Sequence, residues 1–473
     1  MTQTLRVRNP YTGLCDYEFR EPTQTEIEAV CHRLRKAQPG WAALSLQQRI
    51  EALQAFGEAI GKQRGALIAA LVEDTGRTRV SAMEVDTLGA FIARLRTDAT
   101  AALADMTPSP AALPGIEGSS HRIPRGLVAN ISPWNFPVIL SFLDTFPALV
   151  AGNAVVIKPS EVTPRWVEPM REAIAACPEV AAVLDIVVGS GQAGAAVCER
   201  VDALVFTGSV PTGRRVAEAA ARRFIPAHLE LGGKDPAIVL PSADLALAAR
   251  TATFCSVQST GQACQSIERV YVARTLYDEF VRRAVAAAQS LGINYPDIDR
   301  GVLGPFIFEP QAHKVMQQID DAVARGATLH CGGKLIEHGG LWMAPTILTD
   351  VTHDMLIMQE ETFGPVMPIM PFDTEDEAAA LANDSQYGLS AAVFAGDIRE
   401  GRKFATRLHA GAVSINDAAL TVVIHEFEHD AFGYSGMGVS RSGHSAYQRF
   451  TREQSVMANV SGQPVLPTML GGD

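Results

Sequence analysis

From about residue 125 onward, short runs rich in valine and isoleucine alternate with segments whose apolar residues recur every three or four positions. Gly126-Leu-Val-Ala-Asn-Ile, Ala154-Val-Val-Ile, Leu184-Asp-Ile-Val-Val and Ala203-Leu-Val-Phe have this form, and a loop with Pro, Gly or Ser and then a helical period follow each. A continuous apolar run suits a strand covered on both faces, and a helix-length connection makes successive strands parallel neighbours. The pattern predicts an α/β fold with a doubly wound parallel sheet. A second series, Ala237-Ile-Val-Leu, Val270-Tyr-Val, Val366-Met-Pro-Ile-Met, Ala391-Ala-Val-Phe and Ala412-Val-Ser-Ile, predicts a second sheet of the same kind.

A chain of 473 residues exceeds what one hydrophobic core organises. Helical patterns dominate 25–72, including Arg49 to Ile60, and precede the first series. The Pro-rich piece 107–125 interrupts it, and the tail after 446 carries a candidate strand at Gln454 to Val460. The expected division is one α/β domain over 1–106 and 126–232, a second over 233–445, and a small appended sheet from 107–125 and 446–473.

Composition excludes several classes. Apolar residues make up 47% and charged ones 19%, the balance of a globular protein. The net charge of -12, without clustered Lys and Arg among aromatics, leaves no footprint for nucleic acid. The most apolar window, 138–157, is broken by Asp144, Pro147 and Asn153, so no membrane span is expected. The opening residues have no export-type apolar stretch, so a cytoplasmic location is expected. Seven cysteines, irregularly spaced and without C-x-x-C, predict neither disulfides nor structural zinc.

Only Cys264, in Ser259-Thr-Gly-Gln-Ala-Cys, sits behind a glycine-bearing turn that would leave its thiol accessible, and Glu230 stands 34 positions upstream in Leu-Glu-Leu-Gly-Gly-Lys. A thiolate attacks carbonyls well, and a carboxylate could activate the water that releases the thioester. Asn135, in Ser132-Pro-Trp-Asn-Phe-Pro at the end of the first strand, could donate its amide to a developing oxyanion, although an Asn between prolines is also a turn device. Lys158 and Glu161 close the second strand, where such folds handle a nucleotide ribose. A carboxylate there repels a 2′-phosphate, which favours NAD over NADP. Phe206-Thr-Gly-Ser-Val-Pro-Thr-Gly opens a helix whose free N–H groups suit a pyrophosphate, with Gly208 and Gly213 too widely spaced for the usual dinucleotide fingerprint.

With Glu361-Thr-Phe-Gly-Pro, these segments stand in the order and spacing of the aldehyde dehydrogenase superfamily, which the chain resembles from Asn9 to about Val460. The resemblance implies that Cys264 is the nucleophile, Glu230 the deacylation base and Asn135 the side-chain half of an oxyanion hole. It implies that Lys158 and Glu161 contact the adenosine ribose, that Trp134 and Ser209 lie along the pyrophosphate with Gly208 and Gly213 in the same loop, and that Glu361 and Phe363 hold the nicotinamide ribose and ring. It further implies a Rossmann-like NAD-binding domain, a catalytic domain, an oligomerisation sheet, and a homodimer or homotetramer acting on a small-molecule aldehyde.

Two places depart from the family pattern. Asp144 stands where many members have a lysine tied to proton relay, and Val439, Ser440 and Arg441 replace the common R-E-x of S-G-x-G-R-E-x-G. His425-Glu-Phe-Glu-His429 spells the H-E-x-x-H of zinc proteases, but glycines and an aromatic turn follow at once, so no metal is expected. A cysteine hydrolase using Cys264 and a catalytically silent relative are the competing readings. For the substrate, Leu140, Phe142 and Leu143 are candidates to face a tunnel, with Gln258 and Gln265 flanking the thiol. No arginine immediately precedes Cys264 to hold a second carboxylate, which favours an apolar aliphatic or aromatic aldehyde over a semialdehyde.

Overall fold

The computed structural model describes residues 3–469. Residues 1–2 and 470–473, the outer ends of the first and last expected segments, lie outside the described residues. Capping boxes begin the two long N-terminal helices, Thr23 with Glu26 for Gln24–Ala42 and Ser45 with Gln48 for Leu46–Lys62. Each box satisfies two N–H groups that the first turn leaves free.

Five parallel strands, Leu127–Ile131, Ala154–Lys158, Leu184–Ile186, Ala203–Thr207 and Ala227–Glu230, form the first sheet. Counted along the chain they lie in the order 3-2-1-4-5, so the connection reverses direction between Leu127–Ile131 and Ala203–Thr207. The crevice beyond the carboxyl ends of these two strands is where open α/β sheets bind ligands. A short sixth strand, Gly436–Met437, pairs antiparallel with Ala227–Glu230, bringing the C-terminal loop to the same edge. The sequence pattern did not anticipate Ala227–Glu230, whose four residues include His228 and Glu230.

The second sheet has seven strands in the spatial order Thr328–Cys331, Thr346–Thr349, Val366–Phe372, Ile267–Ala273, Asp235–Val239, Ser390–Phe394 and Ala412–Ile415. All pairings are parallel except that of the outermost strand, Thr328–Cys331. Both sheets bury their inner strands on two faces, as the apolar runs predict, while the outermost strand Thr328–Cys331 is mostly exposed. Strands Met106–Pro110, Ile116–Pro124 and Thr451–Asn459 form a separate antiparallel sheet that joins 107–125 to the tail. Only Leu231 to Lys234 separate the last parallel strand of the first sheet from the first strand of the second.

One candidate tunnel residue belongs elsewhere. Phe142 is fully buried, with its ring against those of Phe56, Phe146 and Trp166. Its helix, Pro137–Phe142, is short, so a one-residue difference in position decides between tunnel and core. Leu143, the next residue, lies half-buried on the other side. Phe142→Ala should therefore destabilise the protein by ~3–5 kcal/mol, read as a lower urea midpoint, whereas Leu143→Ala should leave that midpoint nearly unchanged.

Candidate active site

Cys264 follows a turn in which Ser259, Thr260 and Gly261 all have positive φ, at 52°, 62° and 66°. Two non-glycine residues in this region are held there by cross-links. The Thr260 hydroxyl donates to the Gly304 carbonyl at 2.7 Å, and the Gln262 side chain accepts from the Ile307 amide at 2.9 Å. Gly261 has no alternative, because a Cβ there would overlap the Gly364 carbonyl oxygen. The turn carries the thiol out of the core to a half-buried position.

The Cys264 thiol and the Glu230 carboxylate line the same cleft, close enough for each to act on the other's proton affinity. Burial and the neighbouring Glu230 charge push the thiol well above its ordinary value, so it rests protonated. Burial also raises Glu230, while the Arg441 guanidinium and the thiol oppose the rise and Asp144 adds to it. Asn135 is 3% exposed, and its Nδ2 donates one hydrogen to the Gln262 carbonyl at 3.0 Å, leaving the second for another acceptor. The Asn135 carbonyl in turn accepts from Arg77, and Glu84 accepts from the amides of Val138 and Ile139 at 3.1 and 3.2 Å. The buried Arg77 and Glu84 thus fix both ends of the Asn135 turn.

A cleft of about 920 Å³ reaches from the carboxyl ends of the first sheet's strands to Cys264, and Trp134, Asn135, Lys158, Glu161, Glu361 and Phe363 line it. The Lys158 ammonium meets the Glu161 carboxylate at 2.9 Å at the mouth of the second strand. Gly208 and Ser209 line the cleft at the switch point, with Ser209 at the N-terminus of the helix Val210–Arg222. Gly213 does not reach the cleft: it is buried one turn inside that helix, and a Cβ there would press on Leu231 at 2.6 Å. Its role is close packing of helix on strand, which a glycine in the first turn served equally well in the sequence reading.

Glu361 and Phe363 come from the second sheet's side of the cleft, just before its strand Val366–Phe372. Phe363 has φ 52° and sets its ring edge-on to Trp134, 5.5 Å between centroids. Glu268 imposes this turn by accepting the Thr362 and Phe363 amides, both at 2.8 Å. The buried Lys234 ammonium bridges Glu268 and the Thr362 hydroxyl, again at 2.8 Å. Burial, with Glu268 nearby, raises Glu361 to about 8. A Cβ on Gly232 would overlap this carboxylate, so the glycine makes room for it. The donor set fits a dinucleotide: a helix N-terminus suits a pyrophosphate, and the carboxylates of Glu161 and Glu361 in the cleft lining could accept from hydroxyls.

Arg441, Glu268, Arg77 and Glu84 escaped the sequence reading. None stands in a recognisable motif, and only the departure at Val439-Ser-Arg hinted at the first. Arg441 and Leu143 also line a second cavity of about 270 Å³, with Phe91, Arg94, His425 and Tyr447. Leu140, Gln258 and Gln265 are half-buried but outside its lining, and Gln265 is held by the Thr421 hydroxyl at 2.6 Å. His425 to His429 follow a four-residue helix, Leu420–Val423, and are themselves non-helical, so the two imidazoles lack the one-turn spacing of a zinc-binding helix. Among the described residues no group of three or more His, Cys, Asp or Glu is placed to hold a metal.

Comparison with known proteins agrees with this geometry. A model of the aldehyde dehydrogenase family matches residues 1–456. A Mycobacterium ulcerans (strain Agy99) protein bearing the name "Putative succinate-semialdehyde dehydrogenase", with NADP(+) as the cofactor in that name, is 38% identical over 441 residues, 92% of this chain and 84% of its own. The 2-hydroxymuconic semialdehyde dehydrogenase of Pseudomonas sp. (strain CF600) is 35% identical over 424 residues, 86% of this chain and 87% of its own. A solved structure from Anabaena variabilis, described as "Putative Aldehyde Dehydrogenase PutA", is similar with a TM-score of 0.96 and 48% identity, covering 98% of this chain and 99% of its own. Lactaldehyde dehydrogenase from Escherichia coli follows at 0.88 and 31%, covering 97% and 96%.

The turn before the thiol yields a direct test. Gly261→Ala should cost ~1 kcal/mol or more in stability because alanine resists positive φ. Displacement of Cys264 should also slow its alkylation by iodoacetamide, measured by mass spectrometry.

Proposed function

The chain belongs to the aldehyde dehydrogenase family and oxidises an aldehyde with a nicotinamide cofactor, and we propose that it does so through Cys264 as nucleophile, Glu230 as base and Asn135 as oxyanion donor. The placement of the Cys264 thiol beside the Glu230 carboxylate in one cleft carries this reading, because it supplies a nucleophile and a proton acceptor as neighbours. Glu230 takes the thiol proton as sulfur bonds to the carbonyl carbon. The resulting oxyanion is held by the free hydrogen on Asn135 Nδ2 and by the Cys264 backbone N–H; losing one such donor typically costs ~3 kcal/mol of barrier.

When bound, the nicotinamide supplies the acceptor for the hydride that leaves this carbon. The carbon is then a thioester on Cys264. Glu230 must release its first proton before it can serve again. It next takes a proton from water as the hydroxyl oxygen adds to the thioester; the C–S bond breaks, the acid departs and the proton returns to sulfur. A hydrolase reading has no use for the carboxylates at both ribose positions, and a silent relative none for the thiol–carboxylate pair.

We propose NAD as the preferred cofactor. Lys158 and Glu161 at the adenosine ribose, and Glu361 and Phe363 at the nicotinamide side, would hold it, with Trp134, Gly208 and Ser209 along the pyrophosphate. Glu161 disfavours a 2′-phosphate by charge repulsion. For the substrate, both guanidiniums of the second cavity are already paired, Arg94 with Glu426 at 2.7 Å and Arg441 with Asp144 at 2.5 Å. Burial and Arg441 keep His425 below its ordinary value, hence neutral near pH 7. This supports an apolar aldehyde over one bearing a carboxylate.

No described helix is long and apolar enough to cross a membrane. We place the enzyme in the cytoplasm, where its seven free cysteines, Cys264 included, stay reduced. The division into an NAD-binding domain (1–106 and 126–232), a catalytic domain (233–445) and an oligomerisation sheet (107–125 and 446–473) is likewise our reading. The outer strand of that sheet exposes Val456 and Met457, which supports a homodimer or homotetramer.

With NAD and a panel spanning aliphatic, aromatic and carboxylate-bearing aldehydes, NADH formation should be largest for the apolar members, and Cys264→Ala should abolish it. Absence of NADH and NADPH with every aldehyde would refute the reading. Glu161→Ser should raise kcat/KM with NADP relative to NAD by about tenfold, the equivalent of ~1.4 kcal/mol.

A further inference from the structure

Asp144 occupies the place of a family lysine, and the structure locates the missing cation elsewhere. The Asp144 carboxylate is 1% exposed and bonds the guanidiniums of Arg441, at 2.5 Å, and Arg449. Arg441 also donates to the Thr207 hydroxyl at 3.2 Å, and its other terminal nitrogen stands 3.2 Å from Glu230 Oε2. That last contact is an ion pair without hydrogen-bond alignment, so Glu230 Oε2 is buried yet free to accept a proton. The four groups, two acids and two guanidiniums, come from four separate segments: the strand end at Glu230, the turn at Asp144, the C-terminal loop at Arg441 and the helix end at Arg449.

We propose that Arg441, anchored by Asp144, is the positioning residue that keeps Glu230 ionised and aimed at Cys264, a charge-reversed replacement for a cation at position 144. This inference rests on Glu230 being the deacylation base. Burial alone would hold a proton on Glu230 and leave it unable to accept one from water. The charged and titratable groups facing Glu230 are Arg441, which opposes that effect, Asp144, which adds to it, and the Cys264 thiol, which lowers it. A guanidinium does not give up its proton in the working pH range, so Arg441 acts by charge and does not relay protons. Asp144 cannot relay them either: burial would raise it, but two guanidiniums hold it below the ordinary carboxylate range. The first proton taken by Glu230 therefore leaves toward solvent, and Arg441 favours its departure.

The sign of the effect makes it testable. Glu230 works deprotonated, so raising its proton affinity moves the acid limb of activity to higher pH, and lowering it moves the limb down. The probe is 4-nitrophenyl acetate, which acylates the thiol directly: the burst of nitrophenol counts acylated Cys264, and the steady rate reports deacylation. Arg441→Met should keep the burst amplitude and shift the acid limb of the steady rate upward by about one pH unit, roughly tenfold in rate below the limb. Arg441→Lys should restore most of the rate. Asp144→Asn keeps a side-chain oxygen that can accept from Arg441 while removing a negative charge that raises Glu230, so it should shift the limb downward, the direction opposite to Arg441→Met, which a merely structural loss would not produce.

Glu230→Gln separates the two layers of the reading. It should slow the burst, since Glu230 also takes the thiol proton, and lose both the steady rate and the limb. If Glu230→Gln leaves the limb unchanged, the base assignment fails, and this inference with it. If it erases the limb while Arg441→Met and Asp144→Asn leave the limb unmoved, the base assignment stands and the role given to Arg441 is wrong. Should Arg441→Met not fold, Arg441→Gln takes its place: an upward shift supports the inference, and no shift or a downward one overturns it.

Discussion

The buried pair of Lys234 and Glu268 is the joint on which the site depends. Lys234 ends the four-residue connection between the two sheets, and Glu268 lies on the strand that follows the nucleophile turn. Both Glu268 oxygens accept amides of the Thr362–Phe363 turn. One charge pair thereby ties together the strand end that carries Glu230, the thiol turn and the Glu361–Phe363 segment. Breaking such a pair by removing one partner typically costs ~3–5 kcal/mol, because the other charge stays buried. Here that cost would fall on the relative placement of groups from three segments.

Placing the chemistry at this seam has an electrostatic consequence. Burial raises Glu230, Cys264 and Glu361 together, since each is removed from water at the meeting of two sheets. A protonated thiol beside a carboxylate is a stable resting state, and a carboxylate that must ionise between two proton transfers needs a compensating cation. Arg441 meets that need, and Asp144 with Arg449 keeps the surrounding charge near balance. The same burial gives Arg77 and Glu84 their influence on Asn135, through two backbone amides and one carbonyl.

Legibility followed the range of the interactions. Most parallel strands of both sheets were readable because a strand covered on two faces must be apolar throughout, as at Ala154–Lys158 and Ile267–Ala273; the buried four-residue strand Thr346–Thr349, with two threonines, was not anticipated. The four-residue strand Ala227–Glu230 and the antiparallel edges at Thr328–Cys331 and Gly436–Met437 were not, because short edge strands carry polar residues and little pattern. Cys264, Glu230 and Asn135 were singled out from motifs, and the structure brings the first two into one cleft and the third onto the nucleophile turn through Gln262. Phe142 was misplaced because residues adjacent on a helix point about 100° apart, and only packing tells which one faces the core. Gly213 was misplaced because a glycine near a helix start serves a phosphate or a close strand equally well.

By itself the sequence determined the α/β class, the two parallel sheets, the family and the residue types available for thiol chemistry, because all of these are written in local periodicity and short motifs. Tertiary structure alone decided which distant charges meet. Arg441 lies 211 positions from Glu230 and 297 from Asp144, and no local pattern encodes a contact closed by the pairing of Gly436–Met437 with the edge of the first sheet. The apparent defect at Asp144 is read from the sequence as a missing cation; in the fold it is an anchor for one supplied from the other end of the chain, because a buried carboxylate recruits whichever guanidinium the topology delivers.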